Sequence, residues 1–296
     1  MNPPYCGRFA PSPTGPLHFG SLLAAVASYA DARHHGGRWL LRIEDLDTPR
    51  SVPGASEDIR ATLAACGMHA DGDIIAQSAR SEVYAAALAR LRAAGLAYAC
   101  ACSRREIADS ALRGIEGAVY PGTCRNGIGT RPARAWRLKT GGAHIAFDDA
   151  VQGRVAQDLA RDIGDFVLYR ADHIHAYQLA VVVDDAAQGI SDVVRGADLL
   201  DSTPRQIYLQ QCLGLPTPRY LHVPVAVNAA GEKLSKQTQA PAIERTQVLP
   251  ALLAALRMLG QHPPALTSVA ALWAWAIPHW RREQIPQQRA LPMAGG

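Results

Sequence analysis

A glycine- and proline-rich segment near the start of the chain, RFAPSPTGPLHFGS (8–21), has residue types suited to binding a phosphate group. It precedes an Ala/Leu-rich stretch that begins near His18. The first turn of a helix there would point backbone N–H groups and the positive end of the helix dipole at an anion. His18 and Ser21 add side-chain donors, and Gly20 would let a ligand approach the backbone closely. The alternative interpretation is a structural turn with an ordinary helix N-terminus.

A second candidate site is the loop GEKLSKQ (231–237), which carries Lys233 and Lys236 after a predicted strand. Lysine is a mobile point charge, and two lysines in a glycine-containing loop can converge on a triphosphate and stabilise departing pyrophosphate. A Lys-Ser-Lys loop is also typical of solvated surface, so this motif alone does not assign a function.

Three cysteines, Cys100, Cys102 and Cys124, lie in a glycine- and arginine-rich segment with weak periodicity. Thiolates at this spacing could hold a tetrahedral Zn²⁺. No cysteine or histidine occupies the natural fourth position, and His144 is distant in the sequence. A reducing compartment favours a metal site over a disulfide. The alternative is a set of reduced thiols without a shared role.

The elements that would position these residues begin with a strand–loop–helix–strand unit. A strand is predicted at 5–10, a helix from His18 to about His34, and a strand at 38–47 that ends in carboxylates. Such a unit starts a parallel nucleotide-binding sheet, so the sequence predicts an α/β fold. The last sixteen residues are predicted to form a frayed tail. Further helices are predicted at 55–66, 78–95, 202–213 and 247–280, further strands at 134–139, 144–149 and 220–228, and a strand followed by a helix or second strand within 165–185.

Composition restricts the class of protein without naming a function. The chain has 296 residues, is 48% hydrophobic, and carries a net charge of +4, which permits an RNA partner without requiring one. The N-terminus MNPPYCGRF does not have the pattern of a signal peptide. The longest apolar stretches, such as ALLAAL (251–256), are too short to cross a bilayer. We therefore expect a cytoplasmic monomer with no membrane partner.

Taken together, the motifs resemble the class I glutamyl- and glutaminyl-tRNA synthetases. The resemblance covers about residues 5–245, and its blocks follow the family's order. They are the glutamyl-type opening RFAPSPTG (8–15), the first ATP-binding signature HFGS (18–21), the blocks RWLLRIEDLDTPR (38–50) and VVRGADLLDSTPRQ (193–206), and the second signature KLSKQ (233–237).

The resemblance implies a class I synthetase Rossmann-type nucleotide-binding fold with an inserted zinc-bearing subdomain. It implies a structural Zn²⁺ whose fourth ligand, beside the three cysteines, is Tyr120. The expected segments are 1–97 (first half of the catalytic domain), 98–150 (inserted zinc and acceptor-binding-like subdomain), 151–245 (second half, with the KLSKQ loop) and 246–296 (short helical region and tail).

The resemblance also implies a reaction. The α-carboxylate of L-glutamate attacks the α-phosphate of ATP without help from tRNA, and glutamyl-adenylate and pyrophosphate result. Mg²⁺, His18, Lys233 and Lys236 are expected to stabilise the developing charge. ATP contacts are expected from His18, Gly20, Ser21 and Lys236, and glutamate contacts from Arg8, Phe9, Ala10, Pro11, Ser12, Glu44, Tyr177 and Arg195. Val181 stands where charging enzymes usually carry a polar residue.

Only about 60 residues follow Gln237, and we expect no anticodon-binding domain there. The pattern resembles a shorter paralog in the family, which transfers activated glutamate to the queuosine base at the wobble position of tRNA(Asp). Two alternatives stay open. One is a small glutamyl-tRNA synthetase that charges the tRNA 3′ end, and the other is a non-catalytic RNA-binding paralog.

Overall fold

The computed structural model describes residues 4–108, 113–115, 117–228, 230–234 and 241–293. Elements of the first half are β1 (Cys6–Phe9), α1 (Phe19–His34), β2 (Arg38–Ile43), α2 (Ala55–Ala65), β3 (Ile75–Ala76), α3 (Ser81–Ala93), β4 (Ala97–Cys100), α4 (Arg104–Ala108), β5 (Arg113–Gly114), β6 (Gly117–Ala118), β7 (Ala135–Leu138) and β8 (His144–Asp149). Those of the second half are β9 (Gly153–Asp158), α5 (Leu159–Asp162), β10 (Val167–Tyr169), α6 (Tyr177–Ala187), β11 (Asp192–Gly196), α7 (Thr203–Leu213), β12 (Arg219–Val223), β13 (Val225–Val227), α8 (Val248–Met258), α9 (Val269–His279) and β14 (Ala290–Pro292).

Parallel strands form the nucleotide-binding-type sheet that the sequence predicts. Strand β1 pairs in parallel with β2, and β2 with β3. Strand β11 pairs in parallel with β12 and lies alongside β1, where the Ser191 N–H donates to the Cys6 carbonyl at 2.9 Å. The spatial order is therefore β3-β2-β1-β11-β12, and the connections leave β1 in opposite directions. Ligands bind at the carboxyl ends of the strands at such a switch point.

Helix α1 packs against this sheet and supplies much of the core. Its Ala/Leu-rich sequence favours a helix, and Leu22, Ala25 and Val26 are buried completely. The helix is followed by Gly36 at a φ of +62°, a left-handed conformation that favours glycine after the C-terminal end of a helix. Helices α8 and α9 cover α1 on its other side. The first turn of α1 is thereby fixed in relation to the carboxyl end of β1.

Two strand pairings cross position 150, the residue at which the inserted subdomain is expected to end. Strand β7 pairs antiparallel with both β4 and β10, so one small sheet joins residues on both sides of position 150. The β8–β9 hairpin also crosses that position. Sequence periodicity could not reveal the pairing of β10 with β7, because β8, β9 and α5 separate these two strands in the chain.

The prediction of a frayed C-terminal tail is wrong as far as residue 293. Strand β14 pairs in parallel with β13, in the register Val225 to Ala290. Trp280 is buried and its indole N–H donates to Asp31 at 3.0 Å, while Arg282 makes a two-bond ion pair with the same carboxylate. These contacts lie on α1, far away in sequence, so local composition gave no sign of them. Within the described part of the chain no helix is long and apolar enough to span a membrane.

Candidate functional site

A cavity of about 710 Å³ opens at the carboxyl ends of β1 and β11, at the switch point of the sheet. It brings together every predicted substrate and ATP residue that the structure describes. These lining residues are Arg8, Phe9, Ala10, Pro11, Ser12, His18, Gly20, Ser21, Glu44, Tyr177, Arg195 and Lys233. Lys236 was predicted for the same site but lies outside the described residues.

The phosphate-binding prediction concerns the first turn of α1. His18 is the N-cap residue, and its Nδ1 accepts from the Ser21 backbone N–H at 3.3 Å. A Cβ atom on Gly20 would lie 2.7 Å from the carbonyl oxygen of Leu234, the second residue of the KLSKQ loop. Glycine is therefore required at position 20 by the close approach of the two signature loops. The arrangement places a helix N-terminus at the cavity wall, where it suits an anion.

Arg8 and Arg195 both line the cavity, but their surroundings differ. Arg8 is buried and forms a two-bond ion pair with Asp185, with Nε–Oδ1 at 3.0 Å and Nη2–Oδ2 at 3.3 Å. Burial opposes ionisation of Asp185, but Arg8 and Arg42 hold the pKa of this carboxyl below its ordinary value. The charge of Arg8 is therefore already balanced by the protein.

Arg195 is held by neutral groups. Among the described residues its guanidinium donates to His222 Nε2 at 3.0 Å, Thr203 Oγ1 at 2.9 Å, Gln206 Oε1 at 2.9 Å and the Tyr177 hydroxyl at 3.4 Å. None of these partners carries a formal negative charge. Among the described residues that line the cavity, Arg195 is thus a cation available to balance the charge of a bound carboxylate. Both arginines are expected to contact glutamate, but Arg8 has a carboxylate partner and Arg195 has neutral partners.

Glu44 is a carboxylate in the wall of the same cavity. It follows β2 and pairs with the fully buried Arg42 at 3.2 Å. Burial raises the pKa of Glu44 above its ordinary value, although Arg42 and Arg8 act in the opposite direction. Arg42 also contacts Asp185 at 2.8 Å, so it links both carboxylates. A bound ammonium would favour the ionised form of Glu44.

Sequence reasoning missed Arg42 and Asp185. Arg42 pairs with Glu44, and Asp185 pairs with Arg8. The sequence around each of these two residues contains a feature that could have indicated a buried charge. Arg42 is a charge inside an otherwise apolar strand, RWLLRI, and Asp185 ends the run VVVDD in a helix whose preceding residues are buried. Charged residues that are buried in regular elements are almost always paired. The partner of each one could not be read from the sequence.

Lys233 of the second signature loop lies near the cavity mouth and donates to Asp198 at 2.6 Å. The pair is partly exposed, so the ion pair itself contributes little to stability. Asp198 belongs to the same block as Arg195 and also lines the cavity. The contact places the first lysine of the loop beside the sheet switch point.

The three clustered cysteines come together at one point of the inserted region, and their sulfur atoms lie within 4.8 Å of one another. The Sγ atoms of Cys102 and Cys124 are 3.6 Å apart. The Tyr120 hydroxyl lies 3.4 Å from Cys100 Sγ and 3.7 Å from Cys102 Sγ. Arg137 Nε approaches Cys100 Sγ at 3.3 Å. The cluster could hold a metal ion.

Two relatives named glutamyl-Q tRNA(Asp) synthetase are similar to this chain over nearly their full lengths. The protein of Dechloromonas aromatica is 61% identical over 294 residues, which cover 97% of this chain and 98% of the relative. That of Aromatoleum aromaticum is 58% identical over 290 residues, with 97% and 92% covered.

A glutamate tRNA ligase from Elizabethkingia meningosepticum, solved in complex with its amino acid, has a similar fold with a TM-score of 0.80. It is 23% identical, and the match covers 99% of this chain and 67% of that chain. The family described as class I tRNA synthetases (E and Q), catalytic domain, matches residues 6–270. This chain therefore belongs to the class I tRNA synthetases of the glutamate and glutamine type.

Proposed function

We propose that the protein activates L-glutamate with ATP and transfers the glutamyl group to the queuosine base at the wobble position of tRNA(Asp). The observation that carries glutamate activation is that Arg195, Glu44 and the first turn of α1 line the same cavity. The similarity to relatives named for the queuosine reaction supports the choice of acceptor.

The charges of the cavity fit the side-chain carboxylate and the α-ammonium of glutamate. Arg195 would bind the side-chain carboxylate, because its fork of donors is held by neutral partners. Glu44 would bind the α-ammonium, and Tyr177 and Ser12 would hydrogen-bond the remainder. The backbone of Phe9–Pro11 would form the floor at the end of β1. Arg8 is already paired with Asp185, so it would orient the bound glutamate more than it would balance the charge of glutamate.

ATP would bind where the two signature loops meet. The first turn of α1, with His18, Gly20 and Ser21, would hold phosphate oxygens, and Lys233 would exchange Asp198 for the triphosphate. A glutamate α-carboxylate oxygen forms a bond to the α-phosphorus as the bond to the pyrophosphate oxygen breaks. We assign Lys236 and Mg²⁺ to the charge that develops on the leaving pyrophosphate. The protein supplies position and electrostatic stabilisation and needs no covalent nucleophile.

One chain supplies all the residues of this proposed site, so we take the monomer as the functional unit. The substrates ATP and tRNA place the reaction in the cytoplasm.

We further propose that Cys100, Cys102, Cys124 and Tyr120 hold one structural Zn²⁺. With Zn–S bonds of about 2.3 Å, a tetrahedral ion separates two sulfur ligands by about 3.8 Å. The 3.6 Å between Cys102 and Cys124, and the 3.4 and 3.7 Å from the Tyr120 hydroxyl to two sulfurs, fit that spacing. The ion would organise an inserted region with few apolar residues of its own.

Purified without chelators, the protein should contain about one Zn²⁺ per chain. The variant Cys124→Ser should lose the metal, because a structural site needs its full ligand set. Cys212→Ser is the matched control, since this cysteine lies in α7, away from the cluster. Elemental analysis measures both. Tyr120→Phe tests the phenolic ligand by itself, and full retention of zinc in Cys124→Ser would contradict the proposed site.

ATP–pyrophosphate exchange tests the proposed activation step. Exchange should require glutamate and should proceed without added tRNA, because the cavity is assembled from protein residues alone. Glutamine should be a poor substrate, because its neutral amide would leave the charge of Arg195 unbalanced. Strict dependence on tRNA would contradict the tRNA-independent step. If no exchange occurs in either the presence or the absence of tRNA, the result would support a non-catalytic RNA-binding paralog.

A further inference from the structure

A buried histidine–aspartate pair stands directly behind Arg195. His222 lies on β12 and Asp149 ends β8, and both side chains are completely shielded from solvent. His222 Nδ1 is 2.6 Å from Asp149 Oδ2, and His222 Nε2 is 3.0 Å from Arg195 Nε. The three side chains form a line from the interior of the protein to the cavity. Neither Asp149 nor His222 lines the main cavity.

The contacts permit only one state of the His222 ring. An arginine side chain has donors and no acceptor, so Nε2 must be an unprotonated acceptor where Arg195 Nε–H meets it. The ring proton must then reside on Nδ1, where it is donated to Asp149. Burial lowers the pKa of His222 to about 4, which agrees with a neutral ring.

Asp149 is itself held in one orientation. Its Oδ1 accepts from three backbone N–H groups, those of Val151 at 3.0 Å, Gln152 at 2.8 Å and His222 at 3.1 Å. Oδ2 is thereby directed at the ring of His222. An ionised carboxylate accepts at both oxygens, so this geometry always presents an acceptor to Nδ1.

We propose that Asp149 and His222 are positioning residues that hold Arg195 in place for the carboxylate of the bound substrate. Asp149 selects the Nδ1-protonated form of His222, and that form gives Arg195 Nε an acceptor. The inference rests on the proposed function, because it takes glutamate as the ligand of Arg195. It goes beyond that function by assigning a role to two residues that would not touch the substrate.

The variant Asp149→Asn tests the idea with a minimal change of shape. Asparagine Oδ1 would keep the three backbone N–H bonds, which turns its NH₂ group toward His222 Nδ1. An NH₂ donor at position 149 requires His222 Nδ1 to become the acceptor, so the ring proton moves to Nε2. Two N–H donors, His222 Nε2–H and Arg195 Nε–H, would then face each other. We expect the KM for glutamate in ATP–pyrophosphate exchange to rise about 10- to 100-fold, the scale of one lost hydrogen bond to a charged group. The KM for ATP should change little.

A spectroscopic readout separates this role from general damage to the fold. Long-range ¹H–¹⁵N correlation spectra distinguish the two neutral forms of histidine, and the His222 signals are assigned by their loss in His222→Gln. The wild-type protein should show protonation at Nδ1 and Asp149→Asn protonation at Nε2. Asp148→Asn is the matched control, because Asp148 is the exposed neighbour and pairs with the exposed Arg154. It should change neither the spectrum nor the KM.

A double variant gives an independent check. Glutamine at 222 can present its amide oxygen to Arg195 without help from Asp149. In the His222→Gln background, Asp149→Asn should therefore add less than about a threefold change in KM. An equal loss in both backgrounds would overturn the proposal, as would a changed ring form with unchanged KM for glutamate.

The spectra need no activity, so failure of the two proposals can be told apart. Wild-type protein without exchange activity but with Nδ1-protonated His222 would reject the glutamate reaction alone. Active wild-type protein with His222 protonated at Nε2 would reject the positioning role alone.

Discussion

Arg195→Ala should raise the glutamate concentration needed for half-maximal ATP–pyrophosphate exchange by on the order of 10²-fold or more. The side chain is almost completely buried, and its described hydrogen-bond partners are all neutral. Its removal would leave the bound carboxylate without a balancing charge. It would also leave His222 Nε2 and Gln206 Oε1 without their donor. The KM for ATP should stay near the wild-type value, because ATP is proposed to bind at α1.

Two further variants sharpen this measurement. Arg195→Lys keeps the charge but loses the planar fork that reaches His222 and Gln206 together, so it should recover only part of the loss. Arg154→Ala is the control for removing an arginine, because Arg154 is exposed and pairs with the exposed Asp148. A glutamate KM within a few-fold of wild type in Arg195→Ala would show that this residue does not bind the substrate carboxylate.

Arg8 would be a poor choice for the same test, although the sequence predicts it for the same carboxylate. Its removal would leave Asp185 buried and without one of its two arginine partners. Breaking a buried pair costs about 3–5 kcal/mol of folding stability. Loss of binding in Arg8→Ala would therefore be mixed with loss of folded protein, whereas the neutral surroundings of Arg195 avoid an orphaned carboxylate.

The part of the site that could be predicted from the sequence is the part encoded by local motifs. The strand–loop–helix–strand unit is specified by periodicity, by the proline-rich loop after β1 and by Gly36 after α1. A parallel sheet brings the ends of its strands to one edge, so motifs that follow β1, β2 and β11 had to meet there. For this reason residues of both signatures line one cavity: His18, Gly20 and Ser21 of the first, and Lys233 and Leu234 of the second.

The part that could not be predicted consists of pairings between distant segments. Asp149 and His222 lie in HIAFDD and YLHVP, two strand sequences in which neither residue stands out. Their contact depends on β8 lying beside β12, and no local pattern encodes that neighbourhood. The same holds for Asp31, whose partner Arg282 comes from the segment predicted to be frayed and whose partner Trp280 lies at the end of the helix predicted before it. Buried polar pairs are specified by the whole fold.

The largest expected effect concerns the acceptor of the activated glutamate. Incorporation of labelled glutamate should occur with tRNA(Asp) that carries queuosine and should be absent with tRNA(Asp) that carries guanosine at the wobble position. A modified base in a single-stranded loop can be splayed into a pocket and read by stacking and hydrogen bonds. The cis-diol on the ring of queuosine resembles the two ribose hydroxyls of a tRNA 3′ end. The same adenylate geometry could therefore serve a transfer to the base.

The decisive version of this experiment removes the competing acceptor. The 3′ terminal adenosine is removed by periodate oxidation and β-elimination before queuosine is installed, because periodate would also cleave the diol of the modified base. Incorporation should survive this treatment, since the proposed acceptor is in the anticodon. Intact tRNA(Glu) without queuosine is the matched negative substrate. If incorporation instead requires the intact 3′ adenosine, the protein is a small glutamyl-tRNA synthetase, and the cavity beside α1 and β11 transfers glutamate to a terminal ribose.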